Sequence, residues 1–368
     1  MKLNKVISLV VSLLMTVTLV ACGDSKSNSV TRENVDSKEN ISEQVSPTKM
    51  EQESTPTNEV VQLTATPTLA PTVTPRPTLA PGEEPVVYMT SDISPEGLKA
   101  VYDALGWEPE GNVAVKLSTG EPPRSYYLKP ELIKDLVQSL NATIVECNTA
   151  YGGKRIATEM HMQVAKDHGF TDIAEVDILD AEGSMILPVV GGTHLKENLV
   201  GSHFANYDSY LVLSHFKGHE MAGYGGAIKN ISIGFGSQKG KSLIHTAGKS
   251  EVGIYGDQDD FLESMGDAGK SVADSLGDHI VYINVLNNIS IDCDCNGYPK
   301  KPDIHDIGIL ASTDPVALDQ ACIDLVYAAE GNESLIRRIE LKNGLHTLEH
   351  AEQIGLGYRV YQLVNVDD

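Results

Sequence analysis

Ile307-Gly308-Ile309-Leu310-Ala311-Ser312-Thr313-Asp314-Pro315-Val316-Ala317-Leu318-Asp319 changes its periodicity midway. Residues 307–312 form a short apolar run with the look of a strand. Asp314 offers a side-chain acceptor to the free amides of a helix start, and Pro315 sits where a missing N–H costs nothing. The apolar positions beyond it predict an amphipathic helix over residues 315–330. A strand that turns within two residues into a capped helix is the repeating unit of an α/β fold.

The same unit recurs upstream. Residues 112–117 read as a strand, and 130–140 as a helix with Leu132, Ile133, Leu136, Val137 and Leu140 at helical spacing. Residues 143–147 read as a second strand, followed by a glycine-bearing turn and a helix over about 156–168. Further strands are read at 210–214 and 281–285, with a less regular run at 289–291. The alternation predicts an α/β fold over residues 85–368: a mostly parallel sheet with helices on both faces, in one domain or two lobes. Ligands of such sheets gather in the loops at the carboxyl ends of strands.

Three of those loops have unusual composition. The first, Cys147-Asn148-Thr149-Ala150-Tyr151-Gly152-Gly153-Lys154-Arg155, pairs glycines with Lys154 and Arg155, which suit a carboxylate or phosphate. A plain strand-to-helix turn explains it as well. The second, residues 214–230, holds His215, Lys217, His219, Lys229 and Asn230 among four glycines. A His-x-x-x-His pair in so flexible a stretch points to metal or acid–base work, and the cationic character continues through Lys239 and Lys241 to His245. The third is Asp292-Cys293-Asp294-Cys295-Asn296-Gly297. Thiolates at this spacing can chelate a soft or borderline metal with help from an imidazole. The alternatives are a strained redox disulfide, or pairing with Cys147 and Cys322. His161 and His168 read as packing or surface residues, Cys322 as core, and His346 with His350 as a weaker metal signal on one helix face.

The loop from Gly218 to Asn230, the Cys293-Asp294-Cys295 pair and the run from Asp306 to Asp319 together resemble the family called domain of unknown function 362. The resemblance implies an association with iron–sulfur proteins and no common activity. No Cys-x-x-Cys-x-x-Cys run accompanies it, so a self-contained ferredoxin module is absent from the sequence. Residues 219–234 are also similar to the nickel-pincer lactate racemase family. That similarity implies that His219 stands for an acid–base histidine, Lys229 for a cofactor-bearing lysine and His245 for a nickel-ligating histidine. Ala227-Ile228 replaces the Gly-Arg expected before the lysine. Tyr151 and Gly152 stand where the second catalytic histidine falls, while Arg155 is retained. Two-base racemisation needs a base on each face of the substrate, so the expectation is a shared scaffold without that reaction.

The site expected from these readings has Cys293, Cys295, His215 and His245 as ligands of a metal ion or iron–sulfur cluster. His219 and Lys229 are its catalytic groups, and Lys154, Arg155, Lys217 and Asn230 hold a small anionic substrate. A non-catalytic solute- or metal-binding protein, or a Cys-x-Cys dithiol, are the rival expectations.

The amino end reads differently. Lys2 and Lys5 precede an apolar run over residues 6–20, too short to span a bilayer comfortably, and Leu19-Val20-Ala21-Cys22 looks like a bacterial lipobox. Residues 1–22 are therefore expected to be a lipoprotein signal peptide, with lipid on Cys22 holding the protein at the extracytoplasmic face of the cell membrane. Residues 23–84, rich in Ser, Thr and Pro, predict a disordered linker. The 51 acidic and 28 basic residues give a formal charge of -23, which argues against nucleic acid as a partner.

Overall fold

The computed structural model describes residues 79–80 and 82–367. The expected signal peptide, Cys22 and nearly all of the linker lie outside the described residues. In chain order the structure begins with β1 (Val86–Thr90), α1 (Pro95–Ala104), β2 (Val113–Lys116), α2 (Pro130–Ser139), β3 (Thr143–Glu146), α3 (Thr158–Asp167) and β4 (Val176–Ile178). A two-stranded excursion follows, β5 (Ser184–Pro188) and β6 (Glu197–Gly201), and then β7 (Ser209–His215). A small hairpin of β8 (Lys217–His219) and β9 (Gly223–Gly225) leads into the short helix α4 (Ala227–Lys229) and a π-turn over Asn230–Gly234. After α5 (Gln238–His245) and α6 (Gln258–Leu276) come β10 (Ile280–Leu286), β11 (Gly308–Ser312) and α7 (Pro315–Ala328). The order closes with α8 (Glu333–Leu341), α9 (His346–Gln353) and β12 (Gln362–Asn365).

Eight strands form one sheet in the order β12-β1-β11-β10-β7-β2-β3-β4. Every neighbouring pair is parallel except those made by β11, which runs against both β1 and β10. The expected mostly parallel α/β fold is therefore the one observed, and its exception is the strand from which the reading began. The central strands β7 and β10 are buried at every position, as strands covered on both faces must be. Alternate residues feed two cores. Tyr210, Val212 and Tyr282 pack with α6 and α7 residues on one face. Leu211, Leu213 and Ile283 pack with those of α1 and α2 on the other.

Two local expectations need correction. Residues 289–291 are not a strand; they belong to the irregular connection from β10 to β11, where Ile289 is tucked into the core. The helix over 315–328 is not amphipathic: every residue from Pro315 to Ile323 is buried. Its first turns lie beneath other elements, and only the last turn, with Asp324 and Ala328, faces water. The start is as expected, with Asp314 accepting hydrogen bonds from the amides of Val316 (2.9 Å) and Ala317 (3.0 Å). The same carboxylate also accepts the Tyr358 amide (3.0 Å), tying the helix start to the approach to β12.

Asp314→Ala removes a helix cap and a cross-link together, so a loss of about 2 kcal/mol in urea unfolding is expected, the upper end for a cap. An unchanged midpoint would show that the cap carries no stability.

Candidate thiolate and metal site

From β2 the chain moves outward to β3 and β4, then returns to place β7 on the other side of β2. The carboxyl ends of strands splay apart at such a reversal, and a crevice forms there. Here it is a cavity of about 520 Å³, lined among others by Lys116 from β2, Glu146 from β3 and His215 from β7.

Asp294 organises the cavity's far wall. Its buried carboxylate accepts from His215 Nδ1 (3.0 Å) and from the Lys217 ammonium (2.8 Å). Burial alone would raise its pKa; His215 and Lys217 outweigh that and hold the group well below the usual carboxylate range. The Asp294 carbonyl also accepts the Glu121 amide (2.7 Å). With Asp294 fixed from behind, Cys293 and Cys295 both line the cavity. Gly218 brings β8 against the same loop, donating to the Ser290 carbonyl (2.8 Å). A Cβ at this position would lie 2.2 Å from the Ile291 carbonyl oxygen, so only glycine permits the approach.

His219 follows immediately, and ligand atoms of His219, Cys293 and Cys295 all lie within 4.8 Å of one another. These three residues can hold a metal ion. The same geometry sets the protonation of the thiols. A hydrogen bond from the Cys295 thiol, the Lys229 charge and a hydrogen bond to His219 together hold Cys293 far below an ordinary thiol, against the effect of burial. Cys295, the donor in that pair, is held well above it. The Cys295 backbone N–H also points at the Cys293 sulfur (3.3 Å). The arrangement is one thiolate sharing its neighbour's proton.

Two histidines of the cavity lining, His219 and His245, are opposite tautomers. His219 Nδ1 accepts the amides of Met221 (3.2 Å) and Ala222 (3.0 Å), which leaves Nε2 to carry the hydrogen and donate to Cys293. Burial first, then Lys229, lowers the His219 pKa. His245 Nδ1 instead lies 2.7 Å from the Lys241 carbonyl and donates to it, so its Nε2 carries a lone pair. Burial pushes this ring down to about 3, and it stacks on Phe261.

Lys229 is positioned through its backbone. The buried Asp319 accepts the amides of Ala227 (2.7 Å) and Ile228 (3.0 Å), capping the short turn that ends in the lysine. Burial raises Asp319 to about 6 despite those bonds. Asn230 is fixed between Lys116 Nζ (3.0 Å) and Ser214 Oγ (3.1 Å).

Of the residues singled out in the sequence, the cavity lining brings together His215, Lys217, His219, Lys229, Asn230, His245, Cys293, Cys295 and Arg155. Lys154 is not among them; its side chain points to solvent and only its amide is engaged, on Glu121. Several roles must be reassigned. Arg155 is buried against Glu146 (2.9 Å) and Glu121 (3.2 Å), so its charge is already matched and it is no anion receptor. Lys217 is likewise matched by Asp294. His215 has both ring nitrogens facing acceptors, Asp294 and the Asn287 carbonyl (2.6 Å), and neither can serve a metal. His161 is a buried packing residue on Glu146, as expected, while His346 and His350 pair with Glu263 and Asp267 and are not part of the thiols' donor group. Lys116 escaped the sequence reading; its only signal is a lysine closing the otherwise apolar strand Val113-Ala114-Val115-Lys116.

Fold and site thus define an α/β protein that gathers a thiolate, imidazoles and lysines at the carboxyl ends of a mostly parallel sheet. The chain belongs to the family described as domain of unknown function DUF362, whose profile matches residues 113–324, more than half of the sequence. No curated protein matches significantly. Among solved structures, the lactate racemase apoprotein from Thermoanaerobacterium thermosaccharolyticum is similar at 16% identity, over 54% of this chain and 50% of that one, with a TM-score of 0.35. A protein from Thermotoga maritima is similar at 13% identity, over 70% of this chain and 58% of that one, with a TM-score of 0.37. The chain thus spans only half to three-fifths of the length of these two structures.

Alkylation of the metal-free protein by iodoacetamide is expected to stay fast well below pH 8, because the reactive sulfur keeps its negative charge there. Cys293→Ser should abolish the fast phase, and Lys229→Met should move its pH dependence upward. A profile centred on the ordinary thiol value in the wild type would contradict a stabilised thiolate.

Proposed function

We propose that this protein holds a thiophilic metal ion on Cys293 and Cys295, completed by His219, and presents it to a small anionic molecule lying against Lys229 and Asn230. The observation that carries this reading is the convergence of three donor atoms within 4.8 Å on the wall of a cavity that also takes in three lysines, Lys116, Lys229 and Lys241, without acidic partners among the described residues. Two sulfurs and one imidazole suit a soft or borderline ion, and a site with three protein ligands leaves a position for substrate. Such an ion would supply Lewis-acid or redox chemistry. The chain's own part is to hold the substrate's charge at Lys229 and to keep a lone pair at His245 Nε2 within the same cavity, available to accept a proton. In the same reading the protein is exported by residues 1–22 and anchored through lipid on Cys22 at the extracytoplasmic face of the cell membrane.

Anaerobically purified full-length protein is expected to carry close to one metal ion per chain, and Cys293→Ser/Cys295→Ser to lose it while keeping its fold by circular dichroism. Metal content independent of both cysteines would reject the site. Anchoring is tested separately: Cys22→Ser should move the protein from the membrane fraction to the soluble one in cells, and continued membrane retention would count against lipid on that residue.

One observation favours a second reading. His219 donates toward Cys293 instead of offering a lone pair, whereas metal-bound histidines ordinarily donate from their other nitrogen. A dithiol in which the Cys293 thiolate attacks a substrate disulfide and Cys295 displaces the mixed intermediate needs that arrangement and no metal. It predicts a folded, metal-free protein that loses the mass of two hydrogens on treatment with a disulfide and regains it with a thiol reductant.

A further inference from the structure

We infer that Lys116 and Lys241 form an oxyanion subsite on the floor of the cavity, taking a carboxylate or phosphate group of a ligand whose other end reaches Lys229 and Cys293. This rests on reading the cavity as a ligand pocket and names the class of molecule it admits.

The two lysines are the anomaly among the buried cations. Arg155 and Lys217 each meet a carboxylate, but Lys116 and Lys241, 1% and 6% exposed, have no acid within ion-pair distance among the described residues. Lys116 Nζ donates to the Leu117 carbonyl (2.9 Å) and to Asn230 (3.0 Å), and Lys241 Nζ to the Gly236 carbonyl (2.5 Å). Each ammonium has three hydrogens, so three in all are left over. Glu146, the acid whose field reaches Lys116, is already committed to Arg155, His161 and Thr119. Cys147, the side chain whose titration feels both lysines, is a thiol pushed up to about 12 by burial and offers no negative charge. Burying an ammonium without a counter-charge is costly, and an anion arriving from solvent relieves it. The cost shows in Lys116, which burial lowers to about 8.

Lys116, Gly234 and Lys241 all line the cavity, and Gly234 lets backbone approach the ammonium, since a Cβ there would come within 2.9 Å of Lys116 Nζ. His245 lines the same cavity and is held against the Lys241 carbonyl (2.7 Å). The ligand class is therefore a short molecule with an oxyanion at one end and a metal- or thiolate-reactive group at the other, such as a dicarboxylate or a phosphorylated acid.

The test uses the full-length protein and calorimetric titration with inorganic phosphate, acetate, malonate, succinate and glutarate. Phosphate binding would mark a phosphate source for the anion, and a dicarboxylate preference a carboxylate one. Lys116→Met and Lys241→Met should each weaken binding about tenfold, the loss of one charge-assisted hydrogen bond, while the exposed Lys154→Met should leave it unchanged. Absence of binding by every probe, or equal binding by the double variant, would overturn the subsite. If a lysine variant fails to fold, acetylation of the wild type decides: protection of Lys116 and Lys241 by the bound anion supports the subsite, and unchanged labelling overturns it. Cys293→Ser/Cys295→Ser should retain anion binding, so failure of the metal reading and failure of the subsite are told apart.

Discussion

The site depends on a buried carboxylate. Asp294 lies between the two cysteines in sequence but faces away from the cavity, held by His215 and Lys217 from the end of β7 and the start of β8. Removing Lys217 would break a buried ion pair, and such breaks typically cost about 3–5 kcal/mol. With both in place, the intervening residue acts as an anchor and its flanking thiols are turned toward one another and toward His219. The spacing of one residue between cysteines is what allows this division of labour: the middle side chain grips the scaffold while the outer two do chemistry.

Charge matching separates scaffold from function throughout the cavity. Arg155, Lys217 and His215 looked like ligand-binding groups because of their type and their place in glycine-rich loops. Each proves to be matched by acids that sequence alone cannot assign: Glu121 and Asp294 come from distant segments, and Glu146 meets Arg155 only because the turn after β3 folds back on the strand. Lys116 and Lys241, which meet no carboxylate among the described residues, are the ones whose charge remains available in the cavity, while Lys229 faces the Cys293 thiolate. Type and loop context identify candidates; only the identity of the partner distinguishes a receptor from a strut.

Much of the fold was legible because its strongest signals are local. Central strands such as 281–285 announce themselves as continuous apolar runs, and Asp314-Pro315 marks a helix start by its own chemistry. The 19-residue helix α6 went unread because Ser264, Gly266, Asp267, Gly269 and Ser271 share its buried face with Phe261, Leu262, Met265 and Val272 and break up the stripe of large apolar residues. The buried helix α7 was found but misread, because an interior helix and an amphipathic one begin alike. Within the site, the cysteine pair and His219 could be named from spacing, whereas the tautomers of His219 and His245 depend on which backbone groups they meet. Those contacts arise from turns at 219–222 and 241–245 that no pattern of residue types encodes.

The position of β1 has a consequence for timing. It is the first described strand, yet its neighbours in the sheet are β11 and β12, from residues 308–312 and 362–365. Contacts so distant along the chain form late, because closing the intervening loop must precede any gain from pairing. A chain emerging amino end first from a ribosome would carry Val86–Thr90 as an unpaired strand until almost all of the remainder had followed. Completion of this sheet thus waits on the last residues of the described chain, and Val86–Thr90 keeps both edges open until they arrive.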